Sequence, residues 1–367
     1  MNRQEKLSEI RSKNKINCLF LNNNERVFKL DPLIKRMSDY EIFNVNITKS
    51  VHDIEKMYKD VDLYFPCQPY TYRITHSSKI LQKLYEDKKL IIIKYSLGWN
   101  KSFFYKSRPH LYPNYDNSLL NFVDSPDLVL DNHYIYTGHP WSEKLLSGNE
   151  INSTKKNKKK TILICFHWTI SSYGTGRNHT TLLTLGNDIL EICMKYRSKV
   201  NFIFRPHQIL FDLYCGVVNK VLFRLDKEEK YEKYKKATID AREILFKISN
   251  NFPLTYDTNY IQLFRNSDAM IHDCGSYRCE YLYMNKPVAY LSSKENLDST
   301  EWSEMGSSAM KCHELLYNKE QIENFILDVI NGKDNKKELR DEHFLKYISV
   351  QKDPTPSERI IKSLIGQ

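Results

Sequence analysis

The sequence predicts an α/β protein of two domains, each a parallel sheet wound with helices on both faces. Three observations predict it. At 367 residues the chain exceeds what one hydrophobic core commonly organises. Short apolar runs alternate with amphipathic helical stretches, the rhythm of parallel strands joined by crossover helices. That rhythm halts at the basic run Lys155-Lys156-Asn157-Lys158-Lys159-Lys160 and starts afresh at Thr161.

In the first half, Ile16–Leu21 reads as a strand, 31–40 as an amphipathic helix and 42–47 as an alternating second strand. Further strands are expected over 61–65, 90–95 and 134–137. The second half opens with a strand over 161–166, followed by a helix over 181–196 and a strand over Val200–Phe204. A charged helix is expected over 226–249, and a Ser-initiated helix from Ser357 closes the chain. The boundaries that follow are 1–150 for the first domain, 151–160 for a basic linker, 161–345 for the second domain and 346–367 for a terminal helix.

Hydrophobic content of 41% and charged content of 27% are those of a globular protein, and no apolar run approaches a membrane span. The amino terminus lacks the apolar centre of a signal peptide, which predicts a cytoplasmic location. Eight dispersed cysteines, without a CxxC pair, read as reduced core thiols. His272, Cys274 and Cys279 match no common zinc spacing, so no metal is expected. A net charge of +10 favours an anionic partner, and the absence of a basic-aromatic module argues against nucleic acid.

The most informative segment runs from Ser267-Asp268 through an apolar stretch to Asp273-Cys274-Gly275-Ser276 and on to Lys286-Pro287. It reads as strand, small-residue turn, helix and second strand. Backbone N–H groups at such a turn are unpaired and carry partial positive charge, so a phosphate-bearing ligand is indicated. Arg205-Pro206-His207 directly follows a strand, where a guanidinium and an imidazole suit a diphosphate. The same tripeptide at Arg108-Pro109-His110 has no strand before it and reads as a structural loop. His167-Trp168-Thr169 follows the first strand of the second half and leads to the polar loop 171–179, but neither a complete GxGxxG nor a Walker lysine is present.

Together these strings resemble the CDP-glycerol glycerophosphotransferases that build teichoic-acid-like or capsular polymers in bacteria. The matching residues are His167-Trp168-Thr169, Arg205-Pro206-His207, Ser267-Asp268, Asp273 to Ser276, Glu280-Tyr281-Leu282, Lys286-Pro287 and Ser357-Glu358-Arg359-Ile360. Gln68-Pro69-Tyr70, Tyr95-Ser96-Leu97-Gly98 and Thr137-Gly138-His139-Pro140 are weaker echoes in the first half. The family's Trp-His-Gly string has no counterpart, since Tyr95 to Trp99 holds no histidine.

The resemblance implies a GT-B architecture, two Rossmann-like domains facing a cleft with a carboxyl-terminal helix crossing back. It implies transfer of an alcohol phosphate from a CDP-activated donor to a hydroxyl of a glycan or polymer precursor, lipid-linked in many members. Contact with anionic membrane and no required metal are further expectations. His207 and Arg205 would engage the donor diphosphate, with His167, Thr169, Asp273, Gly275 and Ser276 beside them and Glu280 facing the ribose. Asp273 reads equally as a turn-capping acceptor. A base from the first domain would be His139 or His76. Two alternatives stay open, a GT-B glycosyltransferase using a nucleotide sugar and an inactive nucleotide-binding scaffold.

Overall fold

The protein was analysed as a computed structural model that describes residues 2–21, 29–49, 54, 56–66, 83, 84, 86, 87, 89–93, 118–148, 159–170, 180–216, 228–256, 260–292 and 302–367. The strings at 68–70 and 95–99, His76, Arg108-Pro109-His110, linker residues 151–158 and the loop 171–179 lie outside the described residues. The chain forms two compact units. The first comprises Met1–Gly148, Ser299–Ser308 and His343–Gln367, the second Asn149–Asp298 and Ala309–Glu342.

The first unit begins with α1 (Arg3–Arg11), which the sequence reading missed because Leu7 and Ile10 are its only apolar residues. A capping box between Asn2 and Glu5 starts it. Then follow β1 (Ile16–Leu21), α2 (Asp31–Ser38), β2 (Phe43–Thr48), β3 (Leu63–Pro66), β4 (Ile91–Ile93), β5 (Leu120–Val123), β6 (Tyr134–Tyr136) and α3 (Trp141–Leu146). All strand pairs are parallel, in the orders β2-β1-β3 and β4-β5-β6. A parallel bridge between Tyr64 and Leu90 joins the two sets.

The second unit contains β7 (Lys160–Cys165), α4 (Leu182–Tyr196), β8 (Val200–Phe204), α5 (Gln208–Tyr214), α6 (Glu228–Ser249), α7 (Tyr260–Asn266), β9 (Ala269–His272), α8 (Tyr277–Glu280) and β10 (Val288–Leu291). After α9 (Glu304–Lys311) come β11 (Glu314–Leu316), α10 (Lys319–Asn331) and α11 (Lys337–His343). The parallel order is β11-β10-β9-β7-β8, and Leu254 bridges the outer side of β8 at Phe204. Counted from β7, the five strands run in the doubly wound order 2-1-3-4-5, whose direction of winding reverses between β7 and β9. Apolar faces of α4 (Leu185, Ile189, Ile192) and α6 (Ala241, Ile244, Ile248) share one core with Ile162, Ile164 and Ile271 of the sheet.

The chain ends in α12 (Pro356–Ile365). Thr355, not Ser357, caps it, in a reciprocal box with Glu358, and Pro356 occupies the first turn where a missing N–H does no harm. Ile360, Ile361 and Leu364 enter the core of the first unit beside Ile16, Phe20 and Ile91. Arg359 donates to the carbonyls of Thr137 and Val350. No helix among the described residues is long and apolar enough to cross a membrane. The seven described cysteines are free thiols, and only Cys215 is exposed.

Candidate functional site

The carboxyl ends of β7, β8 and β9 lie side by side at the reversal point of the second sheet, the position where open α/β sheets gather ligands. His207 follows β8 and begins α5. Its amide donates to Phe166 O at 2.8 Å, tying the β8 loop to the β7 loop. Its Nδ1 accepts the Ile209 amide at 3.2 Å. That lone pair being occupied, the neutral ring carries its proton on Nε2. The His167 ring lies 5.6 Å away and the Trp168 ring 6.2 Å. Burial, then the neighbouring His167 and Arg205, push His207 down to about 3. Burial takes His167 to about 4. His167 Nδ1 is 3.0 Å from Thr169 Oγ1. Both rings are therefore neutral near pH 7 and keep part of their surface open. They suit donation of a hydrogen bond, not service as fixed cations.

Asp273 follows β9 and is 3% exposed. One carboxylate oxygen accepts the His167 amide. The other accepts the Thr181 amide at 2.6 Å, the Thr181 hydroxyl at 3.0 Å and the Thr180 hydroxyl at 3.2 Å. Burial raises its pKa to about 6 against these donors. The carboxylate thus spans the reversal point and fastens the start of α4 to the β7 loop. This geometry favours the turn-capping role over contact with a diphosphate.

The turn after Asp273 presents donors. Cys274 N–H is taken by His272 Nδ1 at 3.1 Å. The amides of Gly275, Ser276 and Tyr277 meet no acceptor among the described residues. A Cβ placed on Gly275 would touch nothing within 4 Å, so the space over the turn is open. Three adjacent free N–H groups suit an anion.

Arg205 departs from the expected clamp. It is 4% exposed, its guanidinium carbon lying 5.1 Å from the ring centres of Tyr256 and Tyr260 and 5.7 Å from that of Tyr277. Nη1 donates to the Tyr277 hydroxyl. Enclosed in this way, the cation reaches the turn through Tyr277 and does not grip phosphate oxygens as it stands. Glu280 is a second correction. It is 0% exposed and accepts the Tyr260 hydroxyl, so its carboxylate is not presented to a ribose. His139 is a third. It lies in the first unit, 1% exposed, with Nδ1 accepting the Trp141 amide at 3.0 Å, which makes it the pivot of the turn into α3 and not an accessible base.

The Ser267 to Ser276 string divides between the two ends of β9. At the amino end Asp268 accepts the Thr161 amide at 2.7 Å and the Ser267 hydroxyl meets Tyr281 at 2.9 Å. Lys286 donates to the carbonyls of Phe264, Arg265 and Ser267, closing the carboxyl end of α7. Only the Asp273 to Ser276 half faces the site. Sequence reasoning missed Thr180, Thr181 and the three tyrosines around Arg205. Thr181 alone left a signal, as a hydroxyl residue ahead of a helical run.

No family model and no curated protein matches the sequence. Solved structures do match its fold. The wall teichoic acid polymerase TagF aligns with a TM-score of 0.59 at 10% identity, covering 100% of this chain and 95% of that one. UDP-GlcNAc 2-epimerase from Neisseria meningitidis, bound to UDP-GlcNAc, aligns at 0.57 and 14% identity over 96% and 100%. A UDP-N-acetylglucosamine 2-epimerase homologue from Listeria monocytogenes aligns at 0.56 and 14% identity over 96% of each. The chain has the α/β fold of these GT-B-like proteins, with parallel sheets.

Proposed function

We propose that the protein is a transferase that moves an alcohol phosphate, glycerol phosphate foremost, from a CDP-activated donor to a hydroxyl of a glycan or teichoic-acid-like precursor. The observation that carries the reading is that a neutral Nε2–H imidazole, His207, and the open amides of Gly275, Ser276 and Tyr277 stand along the carboxyl edge of one sheet, after β8 and after β9 on either side of β7. In this reaction the acceptor oxygen bonds to the phosphorus that bears the alcohol, and the bond from that phosphorus to the bridging oxygen breaks. CMP leaves with the electron pair, and the proton of the acceptor hydroxyl passes to solvent. His207 Nε2–H would hydrogen-bond to the oxygen on which charge develops, and the turn amides would hold the non-bridging oxygens. His167 and Thr169 would line the same edge, with Asp273 and Arg205 acting from behind. No metal is assigned a role.

A second reading, a GT-B enzyme using a nucleotide sugar, is favoured by the fold shared with an epimerase whose structure holds UDP-GlcNAc. Thermal stability against CDP-glycerol, CDP-ribitol, CMP, UDP-GlcNAc and UDP separates the two. A ligand at 100 times its Kd stabilises the binding state by about 2.7 kcal/mol, a shift of several degrees. A response confined to cytidine diphosphate alcohols supports the first reading, and a response to uridine nucleotides alone replaces it with the second. Tight cytidine binding without CMP release under any acceptor points to a scaffold. Peripheral contact with anionic membrane belongs to the same proposal, and flotation with anionic vesicles at physiological salt tests it.

A further inference from the structure

Directly behind the donor turn sits a buried histidine pair that the reaction does not use. His272 ends β9 and His313 precedes β11, and their Nε2 atoms are 3.1 Å apart. The protons can be placed from the outer contacts. His313 Nδ1 is 2.8 Å from the carbonyl of Ala309, which only accepts, so Nδ1 carries the proton and Nε2 keeps its lone pair. At the other end His272 Nδ1 receives the Cys274 amide, so its proton is on Nε2. The two assignments, made independently, agree at the shared contact: His272 Nε2–H donates to His313 Nε2. Both residues are buried, at 0% and 1% exposure. Burial pushes His272 well below its ordinary pKa, in keeping with a neutral pair. Tyr290 packs edge-on against His272 at 5.3 Å and directs its hydroxyl to the Asp273 carbonyl at 3.5 Å.

We infer that His313 and His272 are positioning residues, a one-way relay of hydrogen bonds donated from Cys274 N–H through both rings to the Ala309 carbonyl, which orients the turn whose next three amides receive the donor phosphate. The inference rests on the phosphate-binding reading of that turn. With Cys274 N–H held inward, the amides of Gly275, Ser276 and Tyr277 are left for a ligand. Without an acceptor at 313, the His272 Nε2–H is stranded in the interior, or its proton moves to Nδ1 and opposes Cys274 N–H. Either result shifts the turn.

The test combines ¹⁵N-histidine NMR with binding of CDP-glycerol and of inorganic pyrophosphate to the full chain. The wild type is expected to show His272 protonated on Nε2 and His313 on Nδ1. His313→Leu should weaken binding of both probes about tenfold while the His167 and His207 signals stay in place. His313→Gln, whose side-chain carbonyl can accept from His272, should recover most of the loss, which a purely space-filling role would not give. Reversed tautomers in the wild type overturn the inference, as does folded His313→Leu with unchanged affinity. Should His313→Leu not fold, His313→Gln decides: lost affinity with the His272 tautomer intact overturns it. If the wild type binds pyrophosphate but no cytidine diphosphate alcohol, the proposed function falls and the relay is judged on pyrophosphate. If it binds neither, the reading of the turn falls and the relay falls with it.

Discussion

Replacing Asp273 with asparagine separates positioning from stability. Holding the carboxyl at about 6 instead of 3.8 corresponds to roughly 3 kcal/mol against the ionised form at neutral pH. An amide removes that burden. It also keeps one oxygen for the His167 amide, but turns an NH₂ towards Thr181. The Thr180 and Thr181 hydroxyls can rotate to accept from it, whereas the Thr181 amide cannot and is left unsatisfied, at about 1 to 3 kcal/mol. The two effects are similar and opposite. Asp273→Asn is therefore expected to melt within a few degrees of the wild type while binding CDP-glycerol about tenfold more weakly, because the β7 loop and the start of α4 are no longer fastened. Acidification supplies a parallel test. With the folded pKa raised, the native state holds a proton that the unfolded chain has released between about pH 4 and 6. Asp273's own contribution to stability therefore rises as pH falls through that window, even as the charged acceptor disappears. Donor affinity should drop below pH 6 in the wild type and stay flatter in the variant. Calorimetric titration at pH 7.5 and 5.5, with melting curves, reads both. A folded variant with wild-type affinity and an unchanged pH profile refutes the positioning role.

Two other expectations follow from single residues. His207→Ala should abolish most CMP release and lower the melting temperature by no more than the few degrees that loss of its cap on Ile209 N–H brings, and because burial pushes His207 down to about 3, the wild-type rate should show no histidine ionisation of its own between pH 5 and 8; near-normal turnover in the folded variant rejects the assignment. Gly138→Ala should destabilise by about 1 to 3 kcal/mol, since φ is +80° and an added Cβ would lie 2.8 Å from Gln351 Oε1 and 3.1 Å from Pro356 Cγ; denaturant unfolding that shows no loss would contradict the packing of that turn.

Much of the second domain was legible because its strands are short β-branched and apolar runs ending in polar or small residues. Lys160–Cys165, Val200–Phe204 and Ala269–His272 all fall within a residue or so of their expected bounds. β5 was not foreseen: Leu120–Val123 is four residues long, and nothing local tells such a run from a buried loop. In the candidate site, the placement of His167, His207 and the Asp273 to Ser276 turn at the carboxyl ends of β7, β8 and β9 was legible because each directly follows an apolar run. The enclosure of Arg205 was not, because Tyr256, Tyr260 and Tyr277 lie far along the chain from it and from β8.

Local pattern was enough for the α/β class, the restart of the strand rhythm at Thr161, and which loops end at strand termini, since periodicity and turn composition are local properties. Tertiary structure decided what each polar side chain does. Asp273 became a clasp, Arg205 and Glu280 became interior groups, His139 became a turn pivot, and His313 joined His272. Those roles depend on partners many residues distant and on burial, which sets both charge state and reach, and neither is written in the spacing of residues along the chain.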